Sequence, residues 1–181
     1  MKNLILLIVL LSVNFNLFAQ NNKQINTKYL SALLYLKTNN NINEEIRKFK
    51  KQWSKKEKSK KNTIEDFILL PYISYLPFPD INLDLKKLKL KDKQQHREKY
   101  HFDLERNTLF NELIPNTSDS KVCLLFSKPV DNYLIAEFII KTTDDESDLV
   151  KFKTGPAMQL LFIFNENDIV TEVYISRGYY N

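Results

Sequence analysis

Four runs of β-branched, aromatic and aliphatic residues crowd the second half of this chain: Lys121–Phe126, Asn132–Thr142, Pro156–Asn165 and Asp168–Arg177. Val, Ile, Phe and Tyr suit a pleated, half-buried surface, so each run reads as a strand. The links between the runs limit the topology. "FNENDI" is a tight hairpin loop and "TTDDESD" a longer polar turn. Parallel strands need long crossovers, so an antiparallel meander is expected.

Ahead of these runs the apolar period lengthens to that of a helix. Ile25, Tyr29, Leu33 and Leu36 make one stripe between Gln24 and Lys37, and "TNNNIN" interrupts it. Asn43 is the expected N-cap of a second helix, with Glu44 and Glu45 in its first turn and Ile46, Phe49 and Trp53 facing inward as it runs to Lys58. Thr63 offers a cap for a short helix through Ile64–Leu70, which Pro71, Pro77 and Pro79 prevent from continuing. "INLDLKKLKL" alternates at Ile81, Leu83 and Leu85, slips once and resumes at Leu88 and Leu90, the pattern of a bulged strand. Residues 92–113 look helical, with Tyr100, Leu104 and Phe110 inward. Helices first and strands after predict an α+β fold: N-terminal helices packed on a curved, mainly antiparallel C-terminal sheet of about four strands. Residues 20–181 suit one domain, helical over 24–113 and sheet over 121–177, with 43% hydrophobic residues, enough for a core.

The first residues set the expected compartment. Lys2 precedes the apolar run Leu4–Val13, and "LFAQ" follows with small Ala19 before Gln20. Charge, short apolar core and small residue are the anatomy of a secretory signal peptide over 1–19, cut between Ala19 and Gln20. The run is about half the ~20 residues a spanning helix needs, and no later stretch replaces it, so no transmembrane segment is expected in the mature chain. The single cysteine, Cys123, lies far from the cut, so neither a lipoprotein anchor nor an internal disulfide is expected. The product is then exported, periplasmic or secreted in the Gram-negative manner.

Charge is uneven along the chain. The net charge is +5, yet six basic residues face eleven acidic ones from Asn107 to Asn181, so the front half is strongly basic. Nine Lys or Arg fall within 47–61, "RKFKKQWSKKEKSKK", against Glu57 alone. Lys50, Lys51, Lys55, Lys56, Lys58, Lys60 and Lys61 are the candidate anion contacts. Inside a cell such a run suggests nucleic acid, but an exported chain meets none. Phosphate-rich headgroups or acidic polysaccharide are the polyanions outside, so an anionic envelope component or another envelope protein is the expected partner. Only four of the basic residues are Arg, and Lys serves planar bidentate recognition less well.

"LLFSKPVDNYLIAEFIIK" and "LLFIFNENDIVTEVY" carry a resemblance. Residues 121–176 resemble the C-terminal half of a type of uncharacterised secreted bacterial domain, in which an "SKP" turn precedes a strand with a small residue and a hairpin closes the sheet. Ser127, Lys128, Pro129, Ala136, Phe162, Phe164, Asn165 and Asn167 match that pattern. The resemblance implies no activity. By shape alone, helices on a curved sheet are similar to cystatin-like and NTF2-like folds, which host many functions.

Catalytic signals are sparse. "HREKYHFDLE" holds both histidines. His96 and His101 are five apart, which turns them about 140° from one another on a helix. Glu98, His101 and Glu105 can share a face as a metal triplet, and a small hydrolase or metal enzyme around His96 and His101 is the alternative function. Cys123 sits in the apolar "KVCLLF", the setting of a structural thiol. "TTDDESD" lacks the glycine and terminal Glu of a calcium loop. No catalytic residue, metal ligand or cofactor is assigned. "LLPYISYLPFPD" presents Tyr72, Tyr75 and Phe78 among prolines, a candidate partner surface of inhibitor or immunity type, or a rigid cover over the core edge.

Overall fold

A computed structural model of the chain describes residues 27–53, 67–88, 90–91, 105–107, 110, 120–151 and 153–180. Helix α1 covers 27–38 and α2 covers Asn40–Trp53. Strands are β1 (Ile68–Ile73), β2 (Glu105–Arg106), β3 (Val122–Phe126), β4 (Tyr133–Ile140), β5 (Gly155–Phe164) and β6 (Val170–Tyr180), and a short helix α3 (Glu146–Lys151) precedes β5. They form one sheet in the order β2-β1-β3-β4-β5-β6. The fold is α+β, as the pattern of helices then strands predicts, and the four C-terminal runs are the strands β3 to β6.

Asn39 organises the helical layer. Its amide closes α1 by donating to the Tyr35 carbonyl, and its Oδ1 accepts the Ile42 amide at 3.1 Å, capping α2. The cap is therefore Asn39, not Asn43, which lies one turn inside the helix. Tyr29, Ala32, Leu33 and Leu36 of α1, with Ile42, Ile46 and Phe49 of α2, bury one face against Leu124, Phe126, Phe138, Leu160 and Phe162. Tyr29 stands edge-on to Phe110, with ring centroids 4.9 Å apart. Its hydroxyl donates to the Ser127 carbonyl at 3.0 Å, so the ring is buried and its polar end satisfied.

Among the described residues, the opposite face of the sheet is covered by irregular chain and the short helix α3. Leu76, Leu88, Leu90 and Val150 pack with Cys123, Leu125, Ile135, Leu161 and Ile163 in a second core. Residues 74–88, with 90–91, run across it as an irregular strap. Leu85–Leu88 form one 3-10 turn where the alternation of 81–90 predicts a strand. The strap is held at its end: Lys87 pairs with Glu172 of β6 at 3.1 Å, and the Asn132 amide donates to the Lys87 carbonyl. With cores on both faces, β3 is buried throughout and β4 nearly so.

Strand β1 departs from the expected helical region. Residues 68–70, expected in a short helix, are extended, and β1 runs parallel to β3 while pairing antiparallel with β2. Pro71 is tolerated because the β1–β3 register breaks between Leu69 and Ile73, where no ladder donor is required. Its carbonyl accepts the Asn107 amide on the other side. Glu105–Arg106, expected in a helix over 92–113, are the edge strand β2. The polar turn after β4 winds into α3, whose Asp148 amide bonds Asp145 Oδ1 at 3.0 Å. Gly155 opens β5 at φ +86°, a conformation that suits glycine. Asp168 adopts φ +57° in the β5–β6 hairpin, where Asn165 Oδ1 accepts the amides of Asn167 and Ile169.

Candidate functional site

Two polar sites stand out among the described residues, one closed and one open. The closed site centres on Glu137. Its place in β4 alternates with Leu134, Ala136 and Phe138, so it points into the second core beside Ile135 and Ile139. It is 0% exposed. A bare carboxylate there would be prohibitively costly, and three donors converge on it. Lys153 Nζ lies 2.7 Å from Oε2, while Gln159 Nε2 at 2.8 Å and the Tyr180 hydroxyl at 2.5 Å share Oε1. The β4–β5 register sets Glu137 directly opposite Gln159. Lys153 Nζ also lies 5.2 Å from the Tyr180 ring centroid. Burial, then the Glu137 charge, push the Tyr180 phenol up, so it stays a donor. Both carboxylate oxygens of Glu137 are thus engaged by donors of the cluster.

A second buried pair works the same way. Lys28 of α1 meets Asp168 of the hairpin at 2.7 Å and lies over the Phe164 ring. Cys123 is 1% exposed, and burial raises its thiol to about 12, so it is an inert core residue as its apolar surroundings predict. The Tyr133 phenol is likewise pushed up by burial.

The open site lies where β3 begins and β4 ends. A groove of about 360 Å³ is lined by Ile68, Ser120, Lys121, Lys141, Thr142, Thr143 and Asp144. Val122 pairs with Ile140, and the Lys141 amide donates to the Lys121 carbonyl at 2.6 Å, so the ladder sets the two lysines opposite each other. Lys141 Nζ meets Asp144 Oδ1 at 2.9 Å, and that hydrogen bond holds the ammonium above the usual lysine range. Asp144 is 99% exposed on its side chain and free to face a ligand as well.

Of the residues singled out from sequence, Lys50 is 8% exposed while Lys51 is exposed at the end of α2. Lys55, Lys56, Lys58, Lys60 and Lys61, together with Ala19, Gln20, His96, Glu98 and His101, lie outside the described residues. Phe49 is spent on the core, as its helical spacing predicts. Tyr72, Tyr75 and Phe78 are half-buried and pack on the second core, with Phe78 edge-on to Tyr133 at 6.4 Å. The described residues bring together no group of three metal-ligating side chains, and none of their helices is long and apolar enough to cross a membrane. Sequence reasoning missed both polar sites. Glu137 had a signal, being the lone charge in "YLIAEFII". Lys121 and Lys141 become neighbours only through strand register. No family model matches the chain, and no curated protein or solved structure does so either.

Proposed function

We propose that this protein is exported and acts as a binding domain of the cell envelope, without bond chemistry of its own, on a polyanionic component. The observation that carries this is the contrast between the two polar sites. Glu137, Lys153, Gln159 and Tyr180 satisfy one another inside the fold, as do Lys28 and Asp168. What faces outward in a concavity is a pair of ammonium groups among hydroxyls, with Asp144 pairing only the Lys141 one. Lys51 adds a further exposed cation at the end of α2. The leader anatomy of residues 1–19 supplies the compartment, in which acidic glycans and lipids are the abundant polyanions.

Two measurements test the proposal. N-terminal sequencing of the native protein should begin at Gln20; a chain beginning at Met1 would remove the compartment. The purified mature protein should bind an acidic glycan or anionic vesicle at low salt and release it as ionic strength approaches physiological, because exposed charges are then screened over about 8 Å. Salt-independent binding, or none to either polyanion, refutes the proposal.

A further inference from the structure

We infer that the groove between β3 and β4 is a subsite for an acidic saccharide, whose carboxylate or phosphate sits between Lys121 and Lys141. This rests on the polyanion-binding role proposed above and gives it a location and a ligand class.

Like charges set directly opposite on an antiparallel pair repel. Lys121 and Lys141 occupy such a pair, and both project from the same face. Asp144 offsets only Lys141. Lys121 is exposed and has no ion-pair partner among the described residues. Among the described residues, Lys121 thus carries a positive charge without an ion-pair partner beside a second cation, and an anion bridging the two ammoniums relieves their repulsion. The rest of the lining fits a sugar. Ser120, Thr142 and Thr143 contribute hydroxyl groups, Asp144 an acceptor for sugar hydroxyls, and Ile68 an apolar wall for a ring face. Lysine is a flexible point charge with three donors, suited to an anion presented on a chain of variable conformation. The groove is open rather than enclosed, so a polymer can pass across it. A lipid surface fits less well, because interfacial binding needs a broad apolar face and this lining has only one aliphatic residue.

The test is calorimetric titration of the mature protein with a tetramer of galacturonic acid at low salt, using wild type, Lys121→Gln, Lys141→Gln and the double variant, with Lys86→Gln, an exposed lysine of the strap, as control. Charged hydrogen bonds on this scale predict a loss on the order of tenfold or more in affinity for the double variant and little change for Lys86→Gln. Removing one of two facing cations should leave the melting temperature unchanged or slightly raised, which separates lost binding from lost folding. If the wild type binds and the double variant binds equally well, the groove is the wrong place while the polyanion-binding role stands. Tighter binding to phosphatidylglycerol vesicles, insensitive to both lysines, overturns the saccharide assignment. If the wild type binds neither probe, the role and the subsite fall together.

Discussion

Replacing Glu137 with Ala removes the acceptor on which three donors close. The Lys153 side chain is only 11% exposed, so the variant leaves an ammonium with nowhere to discharge its solvation demand. Deleting one partner of a buried ion pair costs about 3–5 kcal/mol. Gln159 loses its acceptor as well, for about 1 kcal/mol, while half-buried Tyr180 can turn its hydroxyl to water. The sum is roughly 4–6 kcal/mol, a large part of the 5–15 kcal/mol that holds such a domain together. At about 2–4 °C per kcal/mol, the melting temperature should fall by roughly 8–24 °C. A companion variant, Glu137→Met with Lys153→Met, removes both charges and keeps the volume filled, and it should recover most of the loss. Urea unfolding followed by circular dichroism at neutral pH gives both numbers, with equal m-values required for the comparison. A Glu137→Ala protein within about 1 kcal/mol of wild type would show that the pair is not desolvated as the structure has it. A double methionine variant as unstable as the single alanine would show that the ammonium is not the source of the cost.

Two further predictions concern acidic protons held by the fold. Cys123, Tyr133 and Tyr180 all have raised folded-state pKa values, so between the unfolded values near 8.5 and 10 and the folded ones the native state holds more protons than the unfolded chain. Stability from these groups is therefore complete below about pH 8.5 and declines as pH rises, by about 1.4 kcal/mol per pH unit for each group once its unfolded form is ionised. Urea midpoints measured across alkaline pH should show this slope, and Cys123→Ala should flatten its onset; a flat profile to pH 11 refutes it. In the native protein, Cys123 should react with a thiol reagent only through unfolding, so its rate should match global opening rather than thiolate concentration; rapid modification in native buffer would contradict its burial.

The hydrophobic pattern was a good guide wherever one face of an element decided its fate. The stripe Tyr29, Leu33 and Leu36 is buried as its spacing implies, and the runs after Lys121 became β3 to β6 within a few residues of their expected ends. It failed where a competing local device acted. Asn39 and Asn43 are both acceptable caps, and the choice fell to the residue that also closes α1 through Tyr35. β1 carries a proline that argues against a central strand, and only a register break against β3 admits it. Ile81, Leu83, Leu85, Leu88 and Leu90 do turn apolar side chains toward one core, but as a strap wound through a 3-10 turn. The polar sites were less legible, because Gln159 and Tyr180 reach Glu137 from strands that sequence separation hides.

The helices of this protein close on surfaces that are made after them. The Tyr29 hydroxyl bonds a carbonyl 98 residues further along, and Lys28 waits for Asp168 in the final hairpin. Helices the length of α1 and α2 are marginal in isolation, so a nascent chain has no finished core on which its front can settle until the hairpin has emerged. Collapse of the chain is postponed until then, when distant contacts must form together, and folding is correspondingly slow.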